Sequence, residues 1–323
     1  MEKLAGVRSG ERALVLTDFG YSCKELANMV FENSLACGAE SAMLVTTPPT
    51  GVFPLVEMTQ IAKATADTAD IVFGCTSNFF PPSMRKELSA KGKRVLMMHL
   101  LRDDIVLRTV PVDMDLMQRR YKKLLKILPQ TEEVHLTSER GTDMRFSLKN
   151  CKIPLVYDGI CHPGEVDAVP GGTLDTLPVQ ETGNGTVVID GSLGGYGLVR
   201  TPIKLTIKRG EVVKIEGGPE AEWVDMAMKK ALVAGDRNAN HWAEFLIGLN
   251  PNAQITGYGG TVFASVFEDE RRLGAVSIGW GRDDHLGGQF GGEFHVDAMV
   301  KNVTITLDDI TVIRDGAPTE ELS

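Results

Sequence analysis

Histidine and cysteine are scarce in this chain, and long runs of any one character are missing. Among 323 residues there are six histidines and five cysteines. The cysteines, at 23, 37, 75, 151 and 161, are odd in number, widely spaced and without any Cys-x-x-Cys. That excludes a disulfide framework or a zinc knuckle and reads as the reduced thiols of a cytoplasmic protein. With 34 basic and 43 acidic residues the net charge is −9, and no Lys/Arg block offers a footprint for nucleic acid or anionic lipid. The longest apolar runs, such as Val95 to Leu101, are too short to span a bilayer. The opening "MEKLAGVRSGERALVL" scatters charges where a signal peptide needs a continuous apolar core. No Gly-x-Gly-x-x-Gly follows the first predicted strand, where "LTDFGYS" stands instead, and no Gly-Lys-Ser/Thr loop occurs. The usual dinucleotide and nucleotide fingerprints are therefore absent.

What is present is the composition of a soluble globular protein, 43% hydrophobic and 24% charged, with length for two domains. In the first part short apolar runs alternate with amphipathic segments. Strands are predicted at Arg12–Thr17, Ala42–Thr46, Asp70–Cys75, Arg94–Leu100 and Glu133–Thr137. Helices are predicted at Lys24–Ala36, Val56–Thr68, Ser83–Ala90 and Met114–Leu128. This rhythm predicts an α/β domain over 1–138 with an open, mostly parallel sheet. Beyond 138 glycine becomes frequent and short strands recur around one clear helix at Pro219–Ala234, with "RGEV" as a hairpin turn. Residues 139–323 thus read as an α+β domain, mainly antiparallel β. A site is expected in the cleft between the two.

One stretch carries chemistry: "GGEFHVDAMV", where His295 stands two residues before Asp297 at the start of an apolar run. The run to Gly316 reads as two strands with a turn near Asp308–Asp309. Residues two apart on a strand share a face, so imidazole and carboxylate can converge on one cation. The commoner reading of that spacing is a core histidine with its hydrogen-bond acceptor.

Five motifs in order decide the weight: "GTDMRFSLKN" from Gly141, "VPGGTLDTLPVQETGNGTVVIDGSL" from Val169, "HWAEFLIGLNPNA" from His241, "ERRLGAVSIGWG" from Glu270 and "GGEFHVDAMVKN" from Gly291. Over about residues 140–315 the chain resembles the superfamily of metal-dependent leucyl aminopeptidases, the aminopeptidase T and S group, which has a ring-opening branch of 2,5-dihydroxypyridine 5,6-dioxygenases. In the peptidase pattern, a glutamate closes Pro-Gly-Gly-Glu where Thr173 stands here. A Thr-Val-His strand carries a histidine where Ser277 stands, and no tyrosine lies between Ser277 and His295. Glu244, His295 and Asp297 are retained. A two-metal hydrolytic site needs bridging carboxylates and ligands for each ion, and these departures leave a second ion too few.

The resemblance therefore implies the dioxygenase branch. A single iron(II) would be held by two histidines and a carboxylate, His241, His295 and Asp297, with Glu244 as a fourth ligand or an acceptor orienting a histidine. If the segment after His241 is a strand, His241 and Glu244 point to opposite faces; if it is a helix, they share one. A base for the substrate hydroxyl is expected at His99, at the end of the fourth parallel strand, or at His162 in "GICHPGEVD". His285 reads as part of a polar glycine loop that is solvated or forms a mobile lid, and His135 lies in an outer strand. The glycines of "GSLGGYG", "GYGG" and "LGGQFGGEF" would allow close backbone approach; Tyr196 and Trp280 are pocket walls or core. The expected function is ring opening of a hydroxylated N-heterocycle by dioxygen in a cytoplasmic homo-oligomer. The alternative is an aminopeptidase with an altered site using zinc, cobalt or manganese, and the third possibility is a binding protein without chemistry.

Overall fold

Continuous apolar runs become the interior strands of a parallel sheet. A computed structural model describes residues 2–51, 56–258 and 267–323. Its strands, in chain order, begin with β1 (Arg12–Asp18), β2 (Glu40–Thr46), β3 (Ile71–Cys75) and β4 (Arg94–Met97). Then follow β5 (Val134–Ser138), β6 (Asp143–Phe146), β7 (Lys152–Tyr157), β8 (Val166–Ala168), β9 (Thr173–Leu177) and β10 (Asn184–Ile189). After these come β11 (Ser192–Leu193), β12 (Gly197–Leu198), β13 (Ile203–Lys208), β14 (Glu211–Glu216) and β15 (Trp242–Gly248). The last are β16 (Val276–Gly281), β17 (His295–Val300), β18 (Val303–Leu307), β19 (Ile310–Arg314) and β20 (Ala317–Pro318).

The chain divides into two compact units, 1–111 with 157–171, and 112–156 with 172–323. The first holds a five-stranded parallel sheet in the order β2-β1-β3-β4-β8. β3 and β4 are buried along their whole length, as strands covered on both faces must be. Helices Lys24–Ala36, Gln60–Ala66 and Pro82–Ala90 supply the crossovers. Thr59 caps the second by accepting from Ala62 N, and Pro82 opens the third at a position that needs no N–H.

The second unit has an eight-stranded sheet, β14-β13-β10-β6-β5-β18-β19-β20, and a seven-stranded one, β12-β11-β17-β16-β15-β9-β7. One apolar core joins them: Leu136, Met144 and Val187 from the first sheet meet Phe245, Ile278 and Val296 from the second. Helix Met114–Ile127 adds Met117, Tyr121 and Leu124 to this core, and helix Pro219–Val233 adds Val224. The fold class is as expected, a parallel α/β region followed by mainly antiparallel α+β. No helix among the described residues is long and apolar enough to cross a membrane.

Three local readings change. The strand at Glu133–Thr137 is β5, antiparallel between β6 and β18 and not part of the parallel sheet. A short apolar strand after a helix looks the same in either setting, because its partner is not local. The compositional change near 138 differs from the unit boundaries because helix Met114–Ile127 packs on the second core, while Tyr157–Gly171 returns to place β8 beside β4. The run after His295 makes three strands instead of two. Asn302, with φ 48°, turns the chain so that β17 lies in one sheet and β18 and β19 in the other. The "RGEV" hairpin is as read, with Arg209 and Gly210 both at positive φ between β13 and β14.

Candidate active site

The open question about His241 and Glu244 is resolved by an irregularity in one strand. The segment is a strand, so strict alternation would place residues 241 and 244 on opposite faces. Between Trp242 and Glu244 the register slips: Trp242 lies opposite Trp280, yet Glu244 lies opposite Gly279. Two steps on β15 thus match one on β16, a bulge at Ala243. His241 O accepts from Gly281 N at 2.6 Å, so His241 lies beside Gly281. The bulge puts His241 and Glu244 on one face and sends Trp242 to the other, where its ring meets Phe146 edge-on at 4.7 Å.

β17 completes the pattern. Gly281 lies opposite His295 and Gly279 opposite Asp297. Two rows therefore cross three strands, His241–Gly281–His295 and Glu244–Gly279–Asp297, and the middle member of each is a glycine. A Cβ at Gly279 would lie 2.8 Å from Glu244 Oε1, and one at Gly281 would strike Phe294 O. The absence of a Cβ lets the Glu244 side chain lie directly against Gly279 and lets Phe294 O approach Gly281, so the rows bring imidazole and carboxylate groups together across β16.

Within this group His295 Nε2 lies 3.3 Å from Asp297 Oδ1 and 3.7 Å from Glu244 Oε1. His295 Nδ1 meets Arg282 O at 2.8 Å, which fixes the ring with Nδ1–H donating and Nε2 turned inward. His285, half-buried, stands edge-on to His295 with ring centroids 4.7 Å apart. Donor atoms of Glu244, His285 and His295 lie within 4.8 Å of one another. The loop carrying His285 is anchored: Asp283 accepts from Phe290 N at 2.6 Å, and a Cβ on Gly288 would strike the Asp283 carboxylate. His241 Nε2 lies 3.5 Å from Asp283 Oδ2, and its ring is 3.8 Å from that of Phe290. His241 thus shares the face and the row of His295, while His285 joins the tight group.

The same face continues onto β9, where Asp175 lies opposite Leu246. Asp175 is 1% exposed, and neither of its carboxyl oxygens has a hydrogen-bond partner among the described residues. Thr173 Oγ1 and Ser277 Oγ are likewise buried without one. Burial, then the charges of Glu244 and Asp297, pushes the Asp175 carboxyl well above the usual range. Burial and Glu244 bring Asp297 up to about 7; burial and Asp297 bring Glu270 up to about 8. Burial opposes a charged His295, but Asp297 and Glu244 outweigh it and hold the imidazolium well above its ordinary range. Burial also opposes charge on Glu244, which His295 and Asp297 nevertheless keep ionised. So many buried carboxyls around one histidine are costly without a cation. The donor set and the orphaned oxygens fit a bound metal ion.

The remaining expected residues lie elsewhere. His99 follows β4 at the carboxyl edge of the parallel sheet, buried to 1% and with its ring 5.0 Å from Phe79. His162 is exposed in the loop before β8, at the opposite, amino edge, where its N–H donates to Glu165. His135 pairs with Asp143 on β5 and β6. Trp280 is core and Tyr196 is 40% exposed, its ring edge-on to Trp223; Gly259 and Gly260 lie outside the described residues. Sequence reasoning passed over Asp175 and Glu270, and read His285 only as part of a polar glycine loop. Only Asp175 left a signal there, as an acid two residues beyond Thr173.

Comparison with known proteins agrees with the five motifs. The family model described as NicX, 2,5-dihydroxypyridine 5,6-dioxygenase, matches residues 2–320. A 2,5-dihydroxypyridine 5,6-dioxygenase of Pseudomonas putida KT2440 is 27% identical over 260 residues, 79% of this chain and 72% of that protein. Among solved structures, a 2,5-dihydroxypyridine dioxygenase from the same strain aligns with a TM-score of 0.79 at 22% identity, covering 98% of this chain and 95% of the other. Aminopeptidase T, AmpT, of Thermus thermophilus aligns at 0.65 and 12% identity, covering 99% and 96%, a likeness of fold. With nearly its whole length matched by the family model, the chain belongs to the NicX family of 2,5-dihydroxypyridine 5,6-dioxygenases.

Proposed function

We propose that the chain is a mononuclear non-haem iron(II) dioxygenase that opens the ring of a hydroxylated N-heterocycle resembling 2,5-dihydroxypyridine. The observation that carries this is the pair of rows across β15, β16 and β17, which sets two histidines and two carboxylates on either side of Gly281 and Gly279. Two histidines and one carboxylate hold one face of an octahedral ion and leave the other for substrate and dioxygen. The proposed ligands are His241, His295 and Asp297, with Glu244 beside them. The grouping of Glu244, His285 and His295 within 4.8 Å favours a second arrangement, in which His285 takes the place of His241.

When bound, iron(II) would supply a meeting point for a substrate hydroxyl and dioxygen, and a path for electrons between them. The chain's own groups do the rest. His295 is aimed by Arg282 O. Gly279, without a Cβ, lets the Glu244 side chain lie against β16. Removal of the hydroxyl proton is assigned to His99, because it is buried at the carboxyl edge of the parallel sheet, where open α/β sheets bind ligands. His162, exposed at the amino edge, has less to support it. A cytoplasmic homo-oligomer belongs to the same proposal.

The test is dioxygen uptake. Iron(II)-loaded protein given 2,5-dihydroxypyridine should consume one dioxygen per ring lost, and none without substrate. Asp175 and Glu270 add carboxyls beside Glu244 and Asp297, so peptidase chemistry belongs in the same trial. Release of nitroaniline from leucine p-nitroanilide with zinc, cobalt or manganese, indifferent to dioxygen and lost in His295→Ala, would replace this reading with an aminopeptidase.

A further inference from the structure

A cavity of about 280 Å³ opens beyond the far end of β17, lined by Gln254, Ile255, Arg272, Leu273, Lys301 and Asn302 among others. Lys301 is six residues from His295 along an extended strand and turn, on the order of 20 Å away. The cavity is therefore separate from the proposed metal centre. Its chemistry runs against that of the whole chain. Acidic residues outnumber basic ones 43 to 34, yet the described lining residues include two cations and no carboxylate, with Glu268 accepting from the backbone N–H of Gln254 at 3.0 Å.

Neither cation is spent on an ion pair. Arg272 Nη1 donates to Leu273 O at 2.7 Å, which holds the guanidinium against the wall and leaves the rest of its five N–H donors uncommitted. Lys301 uses its backbone N–H on Asp190 Oδ1 at 2.9 Å. Among the described residues neither side chain has a carboxylate oxygen within 4.0 Å. The amides of Gln254 and Asn302 add donors, and Ile255, Leu273 and Ala275 give an apolar floor. Two cations in one wall suit an anion, and the apolar floor suits one with a short carbon chain over a bare oxyanion.

We propose that this cavity binds a small organic carboxylate with a short carbon chain. On the reading proposed above, which this clause alone depends on, the enzyme makes a related acid. Cleaving a ring bond beside a hydroxyl-bearing carbon, with both dioxygen atoms retained, turns that carbon into a carboxylic acid and the other broken end into a carbonyl.

The test is calorimetric titration of chelator-treated, full-length protein with maleate. Saturable binding of one maleate per chain is expected, weakened about tenfold or more in Arg272→Gln and in Lys301→Gln and unchanged in His295→Ala. Circular dichroism checks that the variants are folded, and Lys301→Met provides a second, isosteric removal of charge. No binding, equal binding of inorganic phosphate, or loss of binding in His295→Ala would each overturn the proposal. Because the titration uses neither iron nor dioxygen, a failed dioxygenase assay beside intact maleate binding overturns only the functional reading, and the converse result only this one.

Discussion

The two faces of β15, β16 and β17 are made by alternate residues of the same strands, and both are buried. On one face Phe245, Ile278, Trp280, Val296 and Ala298 close the core shared with the eight-stranded sheet. On the other, Ser277, Gly279 and Gly281 run between Glu244 and the pair His295 and Asp297. Burial does not distinguish them. What differs is whether the chain satisfies what it buries: the apolar face needs nothing more, whereas the polar face holds carboxyl and hydroxyl oxygens without partners. Stability is invested on one side of the sheet and binding on the other, and the bulge at Ala243 transfers His241 between them.

The sharpest way to break that contrast is to remove a ligand. Asp297→Ala should weaken metal retention on the order of 1000-fold, more than the 10- to 100-fold typical of groups that only support a ligand. Glu244→Ala should stay within that lower range. Metal content after anaerobic desalting measures both. Comparing His241→Ala with His285→Ala decides which histidine completes the set. Loss of metal in Glu244→Ala but not in His241→Ala would make the ligand set peptidase-like.

On the apolar face, Ile278→Ala should cost about 2–4 kcal/mol of folding stability through a cavity in a fully buried site, with metal affinity held within about twofold. Its neighbour in sequence should behave in the opposite way. Gly279→Ala puts a methyl group against Glu244 and should lower metal affinity about 10-fold, with about 1–2 kcal/mol of overpacking strain. Urea unfolding and metal titration of the two variants side by side test this. If Gly279→Ala binds metal normally, the seating of Glu244 against Gly279 does not govern metal binding.

Much of this was legible in the sequence, and for definable reasons. The parallel sheet announced itself because strands covered on both faces must be continuously apolar, as in Ile71–Cys75. His295 and Asp297 were legible as a pair because a strand has period two. The shared face of His241 and Glu244 was not, since a bulge is set by pairing with β16 and has no local signature. His285 was hidden for a related reason: its loop is held by Asp283, through contacts with Phe290 and Gly288 that only the folded chain brings about. β5 went to the wrong sheet because a strand's neighbours are chosen by the whole fold.

The smallest effect expected is one of slope, and it separates the faces without perturbing their packing. In the metal-free protein Asp297 titrates at about 7 and Glu270 at about 8, against about 3.9 and 4.3 for such groups in an unfolded chain. Between those limits the native state binds more protons than the unfolded one. Its stability is therefore complete at acid pH and is lost as pH rises through 7 and 8. His295, raised by the same cluster, acts with the same sign. Glu244, lowered, titrates below this window and contributes no slope within it. Each titrating group gives at most about 1.4 kcal/mol per pH unit. A bound metal ion takes the place of the protons, so its affinity should climb over the range where the metal-free fold weakens. Urea midpoints at pH 5.5 and pH 8.5, with chelator and with metal, measure both effects. The difference between the two pH values should shrink on adding metal and in Asp297→Asn, and persist in Ile278→Ala. Equal midpoints in chelator would mean that the polar face holds its acids ionised by some other device, and its kinship with a metal centre would lose its electrostatic support.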